Sequence, residues 1–461
     1  MEKLFFSELI VAMHGYSDFI GDRDFSVTGV SIDTRISIED SCFFAISGNN
    51  FDGHNFVQDA FNVGAKIVVV EKNKVKNLTN ILNNKPVIVV ENTTTALGVL
   101  AHYYRKKFGV NVAAITGSCG KTTTKEMLAS ILQKRSKVLK TQGNFNNQIG
   151  LPLTIFGLNS SYDFCVLELG TSYPGEIKVL SDIAQPKVAI ITNVGLTHLE
   201  GFGSKNAILK EKFSMFASLS HDGLAVVNAD DELLLREVKT SKINYLTFGI
   251  NNNADITASD IVSLGESVKF NISAFGKTSA VVLNTFGKHN VYNALAAGAG
   301  ASVFGFSLDE IVVGLSKFKT TPLRSDISKI HLLNTTVIND AYNANPTSML
   351  ASIDAVLSSF DNKNMVLVLG DMFELGADAQ YEHEKIGLYL RGKKFEKVLF
   401  VGELMRFAYE AYNFKNVSYF ENVTSLCEAL NSLEIKNKTI FLKASRAMRL
   451  EKAIEFIKER K

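Results

Sequence analysis

The sequence predicts an α/β protein of three domains: a central, mostly parallel sheet with helices on both faces, a C-terminal α/β domain and a smaller N-terminal α/β domain. Its 461 residues are too many for one hydrophobic core, so about two to four domains are expected. Short apolar strands alternate with helix-competent stretches, which is typical of parallel sheets with helical crossovers. The alternation restarts near Phe318, and we predict domains at 1–107, 108–317 and 318–461.

The N-terminal domain is predicted from three apolar strands at Cys42–Ile46, Lys66–Glu71 and Pro86–Glu91, with a helix over Asn55–Gly64. Charged and hydrogen-bonding residues lie beside two of its turns, at 31–35 and 48–54. From this segment alone, ordinary solvated loops explain both turns.

The central domain opens with a strand, a glycine-rich turn and a helix. Val112–Thr116 is the strand, and the turn is Gly117-Ser118-Cys119-Gly120-Lys121-Thr122-Thr123. Glycines free the backbone so that N–H groups can face an anion, and the helix N-terminus adds partial positive charge. Lys121 would then reach the outer phosphates of a nucleotide, and the Thr122 hydroxyl would hold Mg²⁺.

This turn is shorter than the usual P-loop, because Ile115 occupies the position of the first glycine. The alternative is a plain strand-to-helix connection with an exposed lysine. We favour a P-loop-type nucleoside triphosphate site, because the strand, the glycine pair, the Lys-Thr pair and the helix all agree.

Polar side chains end the next predicted strands. Glu168 lies in the strand Phe164–Leu169, and Asn193 and His198 follow Val188–Thr192. Parallel strands bring their carboxyl ends to one edge, and a carboxylate and an imidazole beside a phosphate loop are candidate metal ligands. Either residue alone would more often make a structural hydrogen bond, but their common register with the loop favours a metal site.

Three further regions carry candidate residues. Lys210 and Lys212 lie on a predicted helix, where spacing alone does not distinguish a functional role from a solvated face. Asn290 lies near the start of an alanine-rich helix, where it could contact a nucleotide or cap the helix. Arg324 lies at the expected hinge, and Asp340 follows the first strand of the C-terminal domain. The fourth strand predicted for the central sheet is Leu224–Asn228. The strands predicted for the C-terminal domain are Thr335–Asn339, Met365–Leu369, Lys397–Val401 and Thr439–Leu442.

Bulk properties disfavour several functions. The net charge of +2 suggests neither nucleic acid nor an anionic membrane as a partner. Four scattered cysteines show neither metal nor disulfide spacing, as expected in a reducing cytosol. The N-terminus does not resemble a signal peptide, and the longest apolar run, Ala294–Phe306, is too short to span a bilayer. We expect a cytoplasmic monomer that binds small molecules and does not insert into membranes.

Several stretches together resemble the Mur ligase family, the amide-forming enzymes of peptidoglycan precursor synthesis. They run in the family's order through nearly the whole chain and are Thr116–Glu126, Gly143–Pro152, His198–Ser204, Asp340–Pro346, Gly370–Gly376 and Lys443–Arg446. Two positions depart from the family pattern: Cys119 replaces the usual Asn, and Ala444 replaces the usual Gly. The resemblance implies a Rossmann-like fold for the C-terminal domain.

The resemblance also implies a reaction, in which ATP drives the joining of D-alanyl-D-alanine to UDP-N-acetylmuramoyl-tripeptide through an acyl phosphate. It implies ATP and two Mg²⁺ ions as cofactors, the first ion on Thr122 and Glu168. The second would be held by His198 and a carbamylated lysine, which family register assigns to Lys212 rather than Lys210. Lys121, His198 and Lys212 are the implied catalytic residues.

Family position implies the remaining contacts. Asn290 would lie near the adenine, Arg324 on the phosphates and Asp340 on the ribose. The phosphate loop at 117–123 would complete the nucleotide site. Implied substrate-binding residues are Asp33, Arg35, Asp52, Gly53 and His54 for the UDP-sugar, and Asn144, Asn147, Asn343 and Asn345 elsewhere.

Two other classes of function stay open beside this one. One is another ligase of the superfamily, either a third-residue-adding Mur ligase or a folylpolyglutamate synthase. The other is a nucleotide-binding protein without ligase chemistry. The resemblance also leaves open whether the tripeptide ends in lysine or meso-diaminopimelate.

Overall fold

The computed structural model describes residues 1–48 and 51–459. Asn49 and Asn50, which belong to the polar turn noted at 48–54, lie outside the described residues. The strands form sheets of two, four, nine and six strands. The predicted fold class, α/β with a mostly parallel central sheet, is confirmed. The predicted domain boundaries stay a prediction.

The two-stranded and four-stranded sheets lie in the N-terminal part of the chain. Its strands and helices are β1 (Leu4–Phe5), α1 (Phe6–Ala12), β2 (Ser26–Val27), β3 (Gly29–Ser31), β4 (Ser41–Phe44), α2 (Val57–Asn62), β5 (Ala65–Glu71), α3 (Val75–Leu82), β6 (Val87–Val90) and α4 (Thr93–Lys106). Strands β3, β4, β5 and β6 are parallel and adjacent in that order. The predicted helix over Asn55–Gly64 is divided into a 3-10 turn, Gly53–Phe56, and the short α2.

The nine-stranded sheet forms the middle of the molecule. Its strands are β7 (Asn111–Thr116), β8 (Val138–Lys140), β9 (Phe164–Glu168), β10 (Val188–Ile191), β11 (Leu224–Asn228), β12 (Tyr245–Gly249), β13 (Ile256–Ser263), β14 (Val268–Ala274) and β15 (Lys277–Leu283). The order across the sheet is β15-β14-β13-β12-β11-β10-β7-β9-β8. In this spatial order, all strands from β13 across to β8, including β7, are parallel. Strands β14 and β15 add an antiparallel extension next to β13.

Helices cover both faces of this sheet. They are α5 (Lys121–Leu132), α6 (Gly150–Ile155), α7 (Glu176–Ala184), α8 (Leu199–Phe202), α9 (Lys205–Phe213), α10 (Glu232–Thr240), α11 (Lys288–Val303) and α12 (Leu308–Ser316). Val112 and Ala114 of β7 face a core shared with α4, α6 and α7. Ala113 and Ile115 face a second core shared with α5, α11 and α12. This alternation explains why β7 is apolar along its whole length.

The six-stranded sheet belongs to the C-terminal part. Its elements are β16 (Asp326–Ile330), β17 (Thr335–Asn339), α13 (Pro346–Ser359), β18 (Met365–Gly370), α14 (Ala379–Leu390), β19 (Lys397–Val401), α15 (Met405–Tyr412), β20 (Val417–Phe420), α16 (Val423–Leu430), β21 (Thr439–Lys443) and α17 (Glu451–Glu459). The order is β16-β17-β21-β18-β19-β20, and only the β16–β17 pair is antiparallel among these described strands.

One cavity of about 1760 Å³ lies between the central sheet and the C-terminal sheet. Residues after β7, β9 and β10 line it from one side, and residues after β17 line it from the other. Ligands bind at the carboxyl ends of parallel strands in folds of this kind. Within the described residues, no helix combines the length and apolar character needed to cross a membrane.

Candidate active site

The phosphate loop connects β7 to α5 through two glycines that other residues could replace only with strain. Gly117 has φ +151° and Gly120 has φ +83°. A Cβ atom at Gly117 would lie 1.9 Å from Thr192 Oγ1, and one at Gly120 would lie 2.1 Å from Asn293 Oδ1. Both the backbone conformation and the close packing therefore favour glycine.

Asn193, directly after β10, holds the middle of the loop. The Ser118 N–H donates to the Asn193 carbonyl at 3.0 Å. The Cys119 N–H donates to Asn193 Oδ1 at 3.0 Å, and Asn193 Nδ2 donates to the Cys119 carbonyl at 3.1 Å. These bonds use the backbone of Cys119, whereas its Sγ lies 3.5 Å from the side-chain amide of Asn345.

Lys121 begins α5, and its ammonium bends back over the loop. Nζ donates to the Gly117 carbonyl at 2.7 Å. Loss of solvent lowers the pKa of Lys121, and the nearby Glu168 carboxylate partly opposes this effect. The ammonium therefore lies at the phosphate loop, within reach of a bound anion.

Thr122 and Glu168 form an oxygen pair beside this lysine. Thr122 Oγ1 donates to Glu168 Oε2 at 2.7 Å, and Asn146 Nδ2 donates to Glu168 Oε1 at 3.1 Å. The buried Lys125 ammonium lies 3.9 Å from Glu168 Oε2 and donates to the Thr141 carbonyl at 2.7 Å. A hydroxyl and a carboxylate next to a phosphate loop are the hard oxygen donors that Mg²⁺ prefers, so this pair could hold that ion.

The two candidate ligands for a second ion differ in their surroundings. His198 lines the cavity, and its Nδ1 lies 2.5 Å from Oε2 of Glu374 in the C-terminal domain. Lys212 is buried on α9, with 2% of its surface exposed. Burial, followed by the charge of Lys121, lowers the pKa of Lys212 to about 7. Lys210, the other candidate on α9, is exposed.

Asp340 organises the other side of the cavity. Its Oδ1 accepts from the Ser325 N–H at 3.0 Å, and its Oδ2 accepts from Ser352 Oγ at 2.8 Å and Lys443 Nζ at 2.6 Å. Burial raises the pKa of Asp340, but the Lys443 ammonium and these hydrogen bonds outweigh it, and the net pKa is below the ordinary value. Asp340 is therefore an ionised carboxylate at the cavity wall.

Arg324 and Asn290 also line the cavity. The Arg324 guanidinium lies over the Tyr342 ring, 3.9 Å from its centre, which fixes its plane. Asn290 donates to Thr285 Oγ1 at 3.1 Å and to the Phe286 carbonyl at 2.8 Å. These bonds join Asn290 to the segment before α11 but do not cap the helix, whose N-cap position is Gly287 and carries no side-chain cap. The contact of Asn290 with an adenine stays a prediction.

Of the four predicted asparagines, Asn147, Asn343 and Asn345 line the cavity, whereas the structure places Asn144 in an exposed turn. Asn147 Oδ1 accepts from the Gly150 N–H at 2.8 Å, and Asn345 Oδ1 accepts from the Ser348 N–H at 2.9 Å. Both asparagines therefore shape the starts of helices at the cavity edge.

The five candidates in the N-terminal domain lie apart from this cavity, as far as the described residues define its walls. Asp33 and Arg35 form an exposed ion pair at 2.6 Å. The buried His54 ring lies 2.7 Å from Asp52 Oδ1 through Nδ1, and its Nε2 accepts from the Glu71 N–H at 3.0 Å. His54 thus holds its own turn together, and the role of these residues with a UDP-sugar stays a prediction.

Three family models match successive parts of the chain. The Mur ligase family catalytic domain matches 26–105, the Mur ligase middle domain 115–301, and the Mur ligase glutamate ligase domain 327–446. The UDP-N-acetylmuramoyl-tripeptide–D-alanyl-D-alanine ligase of Bacillus subtilis strain 168 is 36% identical, with 93% of both chains covered. The chain belongs to the Mur ligase family.

Solved structures of Mur ligases are similar over the whole length. A crystal structure of MurF from Acinetobacter baumannii has a TM-score of 0.92 and 32% identity, covering 100% of both chains. MurF ligase from Thermotoga maritima in complex with ADP has a TM-score of 0.83 and 30% identity, covering 93% of this chain and 97% of that one.

Among the residues of this Mur ligase site that were not predicted are Lys125, Asn146, Glu374 and Lys443. All four lie inside stretches that resemble the family, and Asn146 is adjacent to the predicted Asn147. Asn146 and Lys443 contact the predicted residues Glu168 and Asp340 directly. The polar residues of the Gly143–Pro152 and Lys443–Arg446 motifs were the sequence signal for Asn146 and Lys443, whereas no local signal indicates the contact of Glu374 with His198.

Proposed function

We propose that the chain is an ATP-dependent ligase that adds D-alanyl-D-alanine to UDP-N-acetylmuramoyl-tripeptide in peptidoglycan precursor synthesis. The similarity to the UDP-N-acetylmuramoyl-tripeptide–D-alanyl-D-alanine ligase of Bacillus subtilis, with 93% of both chains covered, supports this substrate pair. The observation that carries the proposal is the phosphate loop, with Lys121 and the Thr122–Glu168 pair, on the same cavity as His198.

The reaction needs an activated carboxylate. Direct attack of an amine on a carboxylate would require oxide as the leaving group. Attack of the carboxylate on the γ-phosphate of ATP breaks the β–γ bond, releases ADP and forms an acyl phosphate. The amine of D-alanyl-D-alanine then attacks the acyl carbon, and phosphate leaves as the amide forms. The site must therefore bring two anions together.

The chain's own groups would supply part of the positive charge. The N–H groups at the start of α5 would face a bound phosphate, whereas those of Ser118 and Cys119 donate to Asn193. The Lys121 ammonium would move from the Gly117 carbonyl to the β- and γ-phosphates, and Arg324 would contact the phosphates from the opposite wall. Asp340 and Asn290 would bind the ribose and adenine.

The donor chemistry also fits Mg²⁺. Thr122 and Glu168 would hold one ion, with Asn146 and Lys125 fixing the carboxylate. His198 and Lys212 would hold a second. When bound, the ions would neutralise negative charge on the phosphates and on the attacking carboxylate.

Lys212 suits this role only after carbamylation, because an ammonium repels a cation. The amine adds CO₂ to form a carbamate and releases a proton, which turns a cationic side chain into an anionic oxygen donor. Only the neutral amine reacts. Burial and the charge of Lys121 lower the pKa of Lys212, which leaves more of its amine neutral at neutral pH than in an exposed lysine. This favours Lys212 over the exposed Lys210.

The C-terminal domain would bind the dipeptide and exclude water from the acyl phosphate. Asn343 and Asn345 lie on its side of the cavity and are candidates for contacts with the dipeptide. We assign the UDP-sugar to the N-terminal domain. A monomer in the cytoplasm remains the predicted state and location.

A phosphate-release assay tests the proposal. With ATP, Mg²⁺ and UDP-N-acetylmuramoyl-tripeptide, we expect phosphate release only when D-alanyl-D-alanine is added. Tripeptides ending in lysine and in meso-diaminopimelate should be compared in parallel. Release with glutamate or a free diamino acid, on the matching acceptors, would indicate another ligase of the superfamily. Nucleotide binding with no release under any condition would indicate a protein without ligase chemistry.

A further inference from the structure

His198 and Glu374 meet across the junction of the central and C-terminal domains. His198 follows β10 and begins α8, and Glu374 lies between β18 and α14. Nδ1 of His198 lies 2.5 Å from Oε2 of Glu374. Among residues 1–48 and 51–459, this is the only contact between a proposed metal ligand of the central domain and a carboxylate of the C-terminal domain.

The backbones of the two segments are fitted to each other. His198 has φ +51° and Glu374 has φ +65°, both in the left-handed region that such residues rarely adopt. The Glu200 N–H donates to the Glu374 carbonyl at 3.4 Å. A Cβ atom at Gly376 would lie 3.3 Å from Glu200 Cα. The pairing of His198 with Glu374 is therefore built into both loops and is not a chance meeting of two mobile side chains.

The contact is short but poorly aligned for a hydrogen bond. Nδ1 of His198 is buried, and no aligned acceptor is found for it within the described chain. A small rotation of the imidazole or the carboxylate would align the pair.

We propose that Glu374 is a positioning residue for His198. Accepting from Nδ1–H, the carboxylate would fix the ring and its tautomer, which leaves the lone pair of Nε2 free for a cation. Carboxylates commonly orient metal-binding histidines in this way. Because Glu374 belongs to the other domain, His198 would be oriented only when the domains meet, which couples cation binding to domain contact. This inference rests on the proposed function, in which His198 holds the second ion.

Mn²⁺ provides a probe that does not require turnover. Bound Mn²⁺ can be counted by electron paramagnetic resonance, with a non-hydrolysable methylene analogue of ATP and UDP-N-acetylmuramoyl-tripeptide present. Glu374→Ala should weaken the second Mn²⁺ site by about tenfold or more. Glu374→Gln, which keeps an acceptor oxygen, should recover most of that loss. Asp378→Asn removes the same charge from an exposed position on the same segment and should behave as the parent.

A double-mutant comparison separates positioning from general support of the loops. In a His198→Ala background, Glu374→Ala should not change Mn²⁺ affinity further. The proposal is overturned if Glu374→Ala binds Mn²⁺ like the parent, or if it causes the same fold loss with and without His198. Glu374 is more than half exposed, so its variants should fold, and thermal melting checks this. The Mn²⁺-binding assay contains no dipeptide and measures no turnover. A parent protein that binds Mn²⁺ but forms no amide bond would therefore contradict the proposed function and not the positioning role of Glu374.

Discussion

The Thr122 hydroxyl donates a 2.7 Å hydrogen bond to Oε2 of Glu168 and joins the first turn of α5 to the end of β9. The two residues are 46 positions apart, but β7 and β9 are adjacent parallel strands. The phosphate loop and the carboxylate therefore emerge side by side. This adjacency is the basis for assigning a cation to the pair.

Glu168→Gln should raise the Mg²⁺ concentration needed for half-maximal activity and lower kcat by about 100-fold or more, since an amide is a weaker cation ligand than a carboxylate. The measurement is ligase rate against Mg²⁺ concentration. Glu232→Gln is the matched control, because Glu232 lines the same cavity but is exposed. An unchanged Mg²⁺ dependence in Glu168→Gln would contradict the assignment.

Gly120→Ala should abolish nucleotide binding and destabilise the fold more than Gly175→Ala does. Both glycines lie directly before a helix and have a positive φ, +83° for Gly120 and +92° for Gly175. An added Cβ would lie 2.1 Å from Asn293 Oδ1 at Gly120 but meets nothing within 4 Å at Gly175. Gly175→Ala should therefore cost only the backbone strain, about 1–2 kcal/mol. Equal melting temperatures for the two variants would show that the packing at Gly120 is unimportant.

Lys212→Ala should lose most ligase activity, and short-chain carboxylic acids should restore part of it by replacing the carbamate oxygens. Lys210→Ala should keep parental activity because that side chain is exposed. Incubation with ¹³C-labelled bicarbonate should give a carbamate signal by NMR that is absent from Lys212→Ala and present in Lys210→Ala. A fully active Lys212→Ala variant would refute the role.

The free energy of unfolding should fall as pH drops from about 6.5 to about 4, in part through His289. Burial, with a smaller contribution from Lys443, lowers the pKa of His289 to about 4, against the opposing charge of Asp340. Between the two pKa values the unfolded chain binds a proton that the folded chain does not, so acid favours unfolding.

The full contribution of His289 is about 3 kcal/mol at most. Denaturant unfolding over this pH range should show a shallower dependence in His289→Asn than in the parent. His221→Asn, at an exposed position, is the control. Identical pH dependence in the parent and His289→Asn would contradict the burial argument.

Local patterns predicted much of this fold. The phosphate loop was recognisable because a strand, glycines, a Lys-Thr pair and a helix occur within one short segment. Strands buried on both faces, such as β7, appear as continuous apolar runs. The antiparallel extension was missed although β14 alternates buried and partly exposed residues, with Val268, Phe270 and Ile272 inward. That period of two was sufficient to predict a strand.

Contacts between distant segments could not be predicted in the same way. The structure separates Lys212 from Lys210 by burial, but both are lysines on one helix with similar local spacing. The contact of His198 with Glu374 depends on how two domains meet, and no local period records it. The ring nitrogens of His54 contact Asp52 and Glu71 within its own domain, and its contact with a UDP-sugar stays a prediction.

Oxygen transfer from the acceptor carboxylate to phosphate tests the central claim most directly. UDP-N-acetylmuramoyl-tripeptide labelled with ¹⁸O in its terminal carboxylate is incubated with ATP, Mg²⁺ and D-alanyl-D-alanine, and the released phosphate is analysed by mass spectrometry. An acyl phosphate requires that each phosphate carry one carboxylate oxygen, so we expect singly labelled phosphate in equal amount to the amide formed. Unlabelled phosphate released together with amide would contradict the account.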